Sequence, residues 1–484
     1  MDKIRCPLEE AANTYTELPA LLCSDRTFSY REYRNLVCSA AERLKRFGLE
    51  EGERVALLLP NDWRYAVAIM ALLRVGAIAC PLNSRTPPQG LKSLLDRIAC
   101  QKVITSARQM DRKIFGHRKL FDPGELVDSA GTQQNIWASL EVDLGRPATI
   151  IFTSGSLGVP KAVLHSYGSH YYNAKGSNEN ISLRPGDRWL LALPLYHVGG
   201  LSILFRCFLS GAAVVIPEKD EEFQKSLVRY GVTHLSAVPT QLYRLLLEDN
   251  DKESYRKLRA VLLGGAAVPQ NLIEKGLALG LPLYTSYGLT EMASQVTTTS
   301  PDTPSAKRFT SGKALSYRQL RISASGEILV KGETLFKGYL EGDSLELPVD
   351  SDGWFATGDL GELDSEGYLT VTGRKDNMFI SGGENIQPEE IERVLCEHTA
   401  VAQAVVVPVP DTEFGSRPVA FVQTNSGKLK PKELAAFLEE RLARYKIPVA
   451  FYDWPTTAGL EGMKVSRELL RRIAAQTSIE ATSK

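Results

Sequence analysis

In the first two thirds of the chain, apolar positions form short continuous runs separated by helical patterns. Arg54–Leu59 reads RVALLL and stops at Pro60, the pattern of a strand covered on both faces. Ala66–Val75 has helical spacing and Ala77–Pro81 is strand-like again. Thr27–Val37 opens with apolar-polar alternation and turns helical, and Ser39–Arg46 continues at the helical period. Further strand-like runs follow at Lys102–Thr105, Thr149–Thr153, Trp189–Leu193, Ala213–Ile216, His234–Val238 and Ala260–Leu263. Strands alternating with helices predict βαβ units, that is, parallel sheets covered by helices.

The pattern changes after about Gly312. Gln319–Ser323, Glu327–Lys331, Gly361–Leu363 and Tyr368–Thr372 are short strand candidates with turns at Ser325-Gly326 and Glu366-Gly367. They predict a small β-rich subdomain over about 312–372. Beyond the charged Gly373–Asn377, the order is helix (Pro388–Glu397), strand (Ala402–Pro408), strand (Pro418–Gln423) and helix (Pro431–Leu442). The expected organisation is α/β plus α+β: a large N-terminal domain over 1–375 and a small α+β C-terminal domain over 376–484.

Length agrees with that division, since 484 residues exceed what one hydrophobic core holds. Apolar residues make up 43% and charged ones 24%, a globular composition. Lysine plus arginine and aspartate plus glutamate balance at 57 each, so no net field draws the chain to nucleic acid or an anionic membrane. Seven scattered cysteines lack metal-ligand spacing and suggest free thiols in a reducing compartment. The opening MDKIRCPLEEAANTY has no apolar core of the signal-peptide kind, and stretches such as Tyr65–Leu73 are too short to span a bilayer. The expectation is a cytoplasmic protein without membrane insertion.

Candidate chemistry begins at Thr153-Ser-Gly-Ser-Leu-Gly-Val-Pro-Lys161, directly after a strand-like run. Gly155 and Gly158 allow a tight turn that aims backbone N–H groups at an anion. Thr153, Ser154 and Ser156 add hydroxyls, and Lys161 adds a positive charge. These are the parts of a polyphosphate cradle, without the Walker A spacing. A plain glycine-rich turn is the bland alternative.

The loop resembles the signature of the adenylate-forming superfamily, which includes acyl-CoA synthetases, luciferases and peptide-synthetase adenylation domains. Further motifs follow in the superfamily's order: Leu263-Gly-Gly-Ala-Ala-Val268, Ser286-Tyr-Gly-Leu-Thr-Glu291, Trp354-Phe-Ala-Thr-Gly-Asp359, Gly373-Arg-Lys-Asp376 and Ser381-Gly-Gly-Glu-Asn385. The resemblance spans essentially the whole chain. It implies an ATP-dependent, AMP-forming acid–thiol ligase with Mg²⁺ as cofactor and ATP and CoA as co-substrates. Gly264, Gly265, Ala266, Ser286, Tyr287 and Gly288 would line the adenine side, with Tyr287 offering a flat face. Thr290 would contact phosphate, and Glu291 is a hard oxygen ligand suited to Mg²⁺. Asp359 would accept the ribose hydroxyls, with Arg374 beside it. Lys464, in Gly462-Met-Lys-Val-Ser466, takes the place of the superfamily's catalytic lysine. Its context departs from the usual glycine-lysine pattern by an apparent insertion. Asp376 would be the hinge of a mobile C-terminal domain, with Ser381, Gly382 and Gly383 lining the CoA passage. Each residue has an ordinary reading beside this one: packing, a turn or a surface charge.

The acid pocket is expected around Leu193-Pro-Leu-Tyr-His-Val-Gly-Gly-Leu-Ser-Ile-Leu-Phe-Arg206. His197 and Gly199 follow a strand, and Arg206 stands in apolar company that calls for an anionic partner. A second substrate carboxylate, a protein carboxylate and an escape to the surface all fit the spacing. Pro194–Arg206 and Ser286–Ser294 are similar to the o-succinylbenzoate–CoA ligases of menaquinone biosynthesis, a group within the superfamily. That similarity implies a two-carboxylate substrate held by Arg206, with His197, Gly199 and Ser286 around it. Gly199 stands where that group commonly has serine, and Leu157 where the loop commonly has threonine. Other aryl- or acyl-CoA synthetases, a carrier-loading adenylation enzyme and an impaired nucleotide-binding member remain alternatives. A homodimer is compatible with all of them.

Overall fold

A computed structural model describes residues 2–106, 112–127, 140–153, 160–218, 221–247, 255–425, 430–455 and 467–482. The first large sheet has eight strands. From edge to edge they are Ser344–Glu346, Gly338–Glu341, Lys161–Ser166, Pro147–Thr153, Ile78–Pro81, Arg54–Leu58, Lys102–Thr105 and Lys119–Phe121. The last five pair in parallel. Apolar clusters cover them on both faces, which is why the strand Arg54–Leu58 is apolar from Val55 to Leu58. The remaining pairings are antiparallel.

The second sheet has nine strands: Lys313–Ala314, Ser294–Thr298, Leu283–Leu289, Ala260–Leu263, His234–Ala237, Arg188–Leu190, Ala213–Ile216, Pro19–Cys23 and Thr27–Ser29. Its middle six pair in parallel and its ends antiparallel. The expectation of parallel sheets therefore holds for the last five strands of the first sheet and the middle six of the second. The antiparallel edges are hairpin partners and strands returning from far along the chain, which local periodicity does not register.

Helix limits follow local chemistry. Tyr30–Arg46 starts in a capping box between Ser29 and Glu32. Trp63–Val75 starts where Asp62 accepts from the Tyr65 amide, and ends at Gly76 with φ of 90°. Val198–Ser210 ends at Gly211 in the same left-handed conformation. The helix Tyr167–Asn180 packs against Val198–Ser210.

Arg318–Ile322, Glu327–Gly332, Phe355–Leu363 and Leu369–Arg374 form a separate antiparallel sheet. The C-terminal part pairs Val401–Asp411, Gly415–Thr424 and Phe451–Asp453 in a three-stranded sheet. It has its own apolar cluster, including Ile386, Ile391, Leu395, Val406 and Leu438. Among the described residues no helix is long and apolar enough to cross a membrane.

Candidate active site

The strands Pro147–Thr153 and Lys161–Ser166 pair antiparallel, with Thr153 opposite Lys161. The two ends of the glycine-rich loop therefore stand side by side, and a strand follows the loop where a Walker A loop has a helix. Ser154, Gly155, Ser156, Leu157 and Gly158 lie outside the described residues, as does Lys464. The exposed Lys161 ammonium sits 4.5 Å from the centre of the Tyr339 ring. The Tyr339 hydroxyl donates to Glu291 Oε1 at 2.7 Å. Tyr339 thus joins the end of the glycine-rich loop to Glu291, the expected metal ligand. Sequence reasoning missed it because it lies 48 residues from Glu291, in a strand without motif chemistry of its own. Burial, reinforced by the Glu291 charge, pushes the Tyr339 phenol well above its usual range, so it stays a donor.

Thr290–Met292 is a single 3₁₀ turn, and each of its carbonyls is tethered. Thr290 O accepts from His165 Nε2 at 2.7 Å and from the Ala293 amide at 2.9 Å. Glu291 O accepts from the Phe336 amide at 2.8 Å, and Met292 O from Asn173 Nδ2 at 3.0 Å. The chain leaves the turn through Ala293 at φ 56° and Ser294 at φ 139°, a conformation that side chains rarely adopt. Behind the turn, Thr149 Oγ1 lies 3.3 Å from His165 Nδ1 and 2.7 Å from His170 Nε2. Burial lowers the His165 pKa to about 4 and holds His170 well below its ordinary value. Both rings are neutral at neutral pH.

On the expected adenine side, Tyr287 lies in the strand Leu283–Leu289 and donates its hydroxyl to Asp359 Oδ2 at 2.7 Å. Asp359 Oδ1 accepts from Arg374 Nη1 at 2.7 Å, and Arg374 Nη2 donates to Asp376 at 3.2 Å. The structure therefore joins Tyr287, Asp359, Arg374 and Asp376 in one chain. Burial opposes the Arg374 charge, but the carboxylates of Asp359 and Asp376 outweigh it and hold its pKa above the ordinary value. The Tyr287 ring itself is packed in a cluster with Val163, Met292 and Ile328. Ser286 Oγ donates to the Leu263 carbonyl at 2.8 Å, and a Cβ on Gly264 would lie 2.9 Å from that hydroxyl. Gly265, at φ 83°, and Ala266 are exposed beside it. A Cβ on Gly288 would lie 2.2 Å from the Ser294 carbonyl, so only glycine allows the strands Leu283–Leu289 and Ser294–Thr298 to approach this closely.

Around the expected acid pocket, His197 is the residue before the helix Val198–Ser210, half-buried, with its ring 4.6 Å from that of Tyr196. The preceding strand ends at Leu190, earlier than expected. The chain beyond it is pinned by Asn61, which donates to Leu193 O at 3.3 Å and accepts from the Leu195 amide at 3.0 Å. A Cβ on Gly200 would meet the Pro194 carbonyl at 2.2 Å, and one on Gly199 would meet Leu193 Cδ1 at 3.1 Å. Arg206, on the same helix, is 1% exposed. Its Nη2 donates to Gln295 Oε1 at 2.7 Å and lies 3.4 Å from Ser294 Oγ, while its guanidinium lies 5.2 Å from the Trp189 ring centre. Its Nε has no hydrogen-bond partner among the described residues. Of the three fates the sequence left open for Arg206, the surface escape is excluded, and no described protein carboxylate pairs with it. Gln295 and the second buried arginine, Arg318, went unnoticed in the sequence. Arg318 Nη1 donates to Gln295 O at 2.7 Å. Burial lowers both guanidinium pKa values to about 9.

Asp376 lies in the exposed 3₁₀ turn Lys375–Asn377. Gly382 and Gly383, with φ of 58° and 88°, form the two-residue turn between the paired strands Phe379–Ser381 and Glu384–Ile386. Two consecutive positive φ values are what a type I′ hairpin needs, and this accounts for both glycines. Ser381 is buried, and the Gly382 amide donates to Phe414 O at 2.9 Å.

Comparison with known proteins agrees with this layout. The AMP-binding enzyme family matches residues 8–340, and the AMP-binding enzyme C-terminal domain matches residues 390–458. A Bacillus cereus 2-succinylbenzoate–CoA ligase is 38% identical over 449 residues, covering 89% of this chain and 92% of its own. The structure is similar to that of o-succinylbenzoate CoA synthetase (MenE) from Bacillus subtilis in complex with the acyl-adenylate intermediate OSB-AMP. The TM-score is 0.87 at 33% identity, over 97% of this chain and 99% of that one. The same B. subtilis enzyme in complex with ATP and magnesium ion gives 0.84 at 34% identity, over 93% and 96%. With these matches over most of its length, this chain belongs to the AMP-binding enzyme family.

Proposed function

We propose that this protein is an AMP-forming acid–CoA ligase that converts 2-succinylbenzoate to 2-succinylbenzoyl-CoA. Arg206 carries the choice of substrate: a buried guanidinium with only neutral protein partners among the described residues is a receptor for a second carboxylate. The names of the similar ligases support the same acid.

In the first step an oxygen of the succinyl carboxylate attacks the α-phosphorus of ATP and diphosphate leaves. In the second the CoA sulfur attacks the carbonyl of the acyl-adenylate and AMP leaves. Thr153, Lys161 and the intervening loop grip the phosphates, and Thr290 adds a hydroxyl. Asp359 faces the ribose and Ser286 the adenine. Lys464 neutralises charge at the α-phosphate as two anions meet.

Glu291 fits Mg²⁺. One of its oxygens is taken by Tyr339 and the other has no protein partner among the described residues. A single carboxylate suits an ion that keeps several waters and bridges to phosphate. When bound, Mg²⁺ supplies charge neutralisation to the phosphates. The C-terminal domain, taken from Asp376 onward, turns between the two steps and brings Ser381–Gly383 to the pantetheine arm. Its work on soluble co-substrates and its buried free thiols fit a cytoplasmic enzyme.

ATP–diphosphate exchange across a panel of acids tests this reading. Exchange should be fastest with 2-succinylbenzoate and much slower with 4-oxo-4-phenylbutanoate, which is the same acid without the ring carboxylate. Equal rates would remove the diacid receptor, and a faster benzoate, cinnamate or fatty acid would name another ligase.

A further inference from the structure

The hydrogen bonds behind the Thr290–Met292 turn admit one proton arrangement for neutral rings. A carbonyl only accepts, so His165 Nε2, 2.7 Å from Thr290 O, carries a hydrogen. Nδ1 of the neutral ring is then bare and takes the hydroxyl proton of Thr149 at 3.3 Å. Thr149 has then used its single proton. The 2.7 Å contact to His170 is therefore a donation from His170 Nε2. His170 Nδ1 must be bare, and it is the ring nitrogen without a partner among the described residues. The His170 ring stacks on Phe205 at 5.1 Å and 21°, which holds its plane. His165 and Thr149 are 0% exposed and His170 is 1% exposed, so bulk water does not compete.

We propose that His165 is a positioning residue for adenylation. Thr149 and His170 fix its tautomer, and His165 in turn pins the Thr290 carbonyl. This aims the Thr290 hydroxyl and the Glu291 carboxylate at the phosphates and their cation. The other two carbonyls of the turn are held by Asn173 and a backbone amide, and the Thr290 carbonyl also takes the Ala293 amide; none of these donors has tautomers. Of the four contacts only the one from His165 reverses if a ring proton moves: a bare Nε2 would face the carbonyl, lone pair to lone pair. The inference rests on the reading of Thr290 and Glu291 given above.

The chain has six histidines, few enough for selective ¹⁵N labelling. The wild-type ¹⁵N spectrum should show His165 as the Nε2–H tautomer. Thr149→Val keeps the shape and removes the hydroxyl, and it should give a tautomer mixture. Calorimetric Mg·ATP binding without acid should weaken about three- to tenfold, the scale of one neutral hydrogen bond. The KM for the acid should hardly move, and Thr149→Ser should restore both readouts. A wild-type Nδ1–H tautomer, an unchanged tautomer in Thr149→Val, or a changed tautomer with unchanged Mg·ATP binding would each overturn the proposal. If Thr149→Val does not fold, the wild-type spectrum decides: Nε2–H supports the proposal and Nδ1–H refutes it. Glu291→Gln separates the underlying reading. If that variant keeps the magnesium dependence of ATP binding, the assignment of the corner fails rather than the role of His165.

Discussion

Arg206 is held between the ring of Trp189 and the amide of Gln295, with its pKa lowered to about 9 by burial. At neutral pH it is still charged, so the fold sustains a buried cation without a described counterion, a costly arrangement that an anionic ligand would relieve. Arg206→Met should therefore lower kcat/KM for 2-succinylbenzoate by an equivalent of about 3–5 kcal/mol, the scale for stranding a buried charge. The loss with 4-oxo-4-phenylbutanoate should be small, and equal losses on both acids would refute the role. His165 has a consequence for stability as well. Its folded pKa, about 4, lies below the ordinary value of 6.5. Between those values the unfolded chain binds more protons, so stability rises with pH through the window and is lost on acidification. Going from pH 7 to 5 should remove about 2 kcal/mol through His165 alone. Urea unfolding at the two pH values checks this, and His165→Gln should flatten the difference.

At the element scale, the turn between Leu283–Leu289 and Ser294–Thr298 brings the proposed adenine-side and phosphate-side residues together. Its geometry needs Gly288, because a Cβ there would meet the Ser294 backbone carbonyl. Gly288→Ala should force these strands apart, costing about 1–3 kcal/mol of stability, the usual price of overpacking. Mg·ATP binding should fall with it, since Thr290 and Glu291 hang from the same turn. A variant with wild-type unfolding and binding would show that the strands have slack. The hairpin at Gly382-Gly383 needs its glycines for another reason, two successive positive φ values. Gly288 and the Gly382-Gly383 pair all stand out in the sequence, but a close approach and a positive φ look the same there.

Over the whole molecule, the proposed turning of the C-terminal domain predicts that a hinge variant and a Lys464 variant fail at different steps. Asp376→Pro restricts φ at the hinge and should leave adenylation intact while blocking thioester formation. Lys464→Ala should cut adenylation by about 10²–10³-fold, the cost of one transition-state donor. It should still form thioester from supplied acyl-adenylate. Separate assays of diphosphate exchange and thioester formation check both, and loss of the same step in both variants would defeat the two-orientation scheme. Much of this architecture was legible in the chain. Runs such as Arg54–Leu59 and the glycine-rich loop Thr153–Lys161 depend on residues near one another, so periodicity and punctuation reveal them. The contacts that build the site are not local. Tyr339 reaches Glu291 across 48 residues, Tyr287 reaches Asp359 across 72, and Arg206 reaches Gln295 across 89. Those pairings follow from the order in which strands join the sheets, and the antiparallel edges were invisible to periodicity. Folding alone decided that Arg206 would be sealed among neutral partners and that two buried histidines would stand behind Thr290, because burial and proton order arise only when distant elements close on one another.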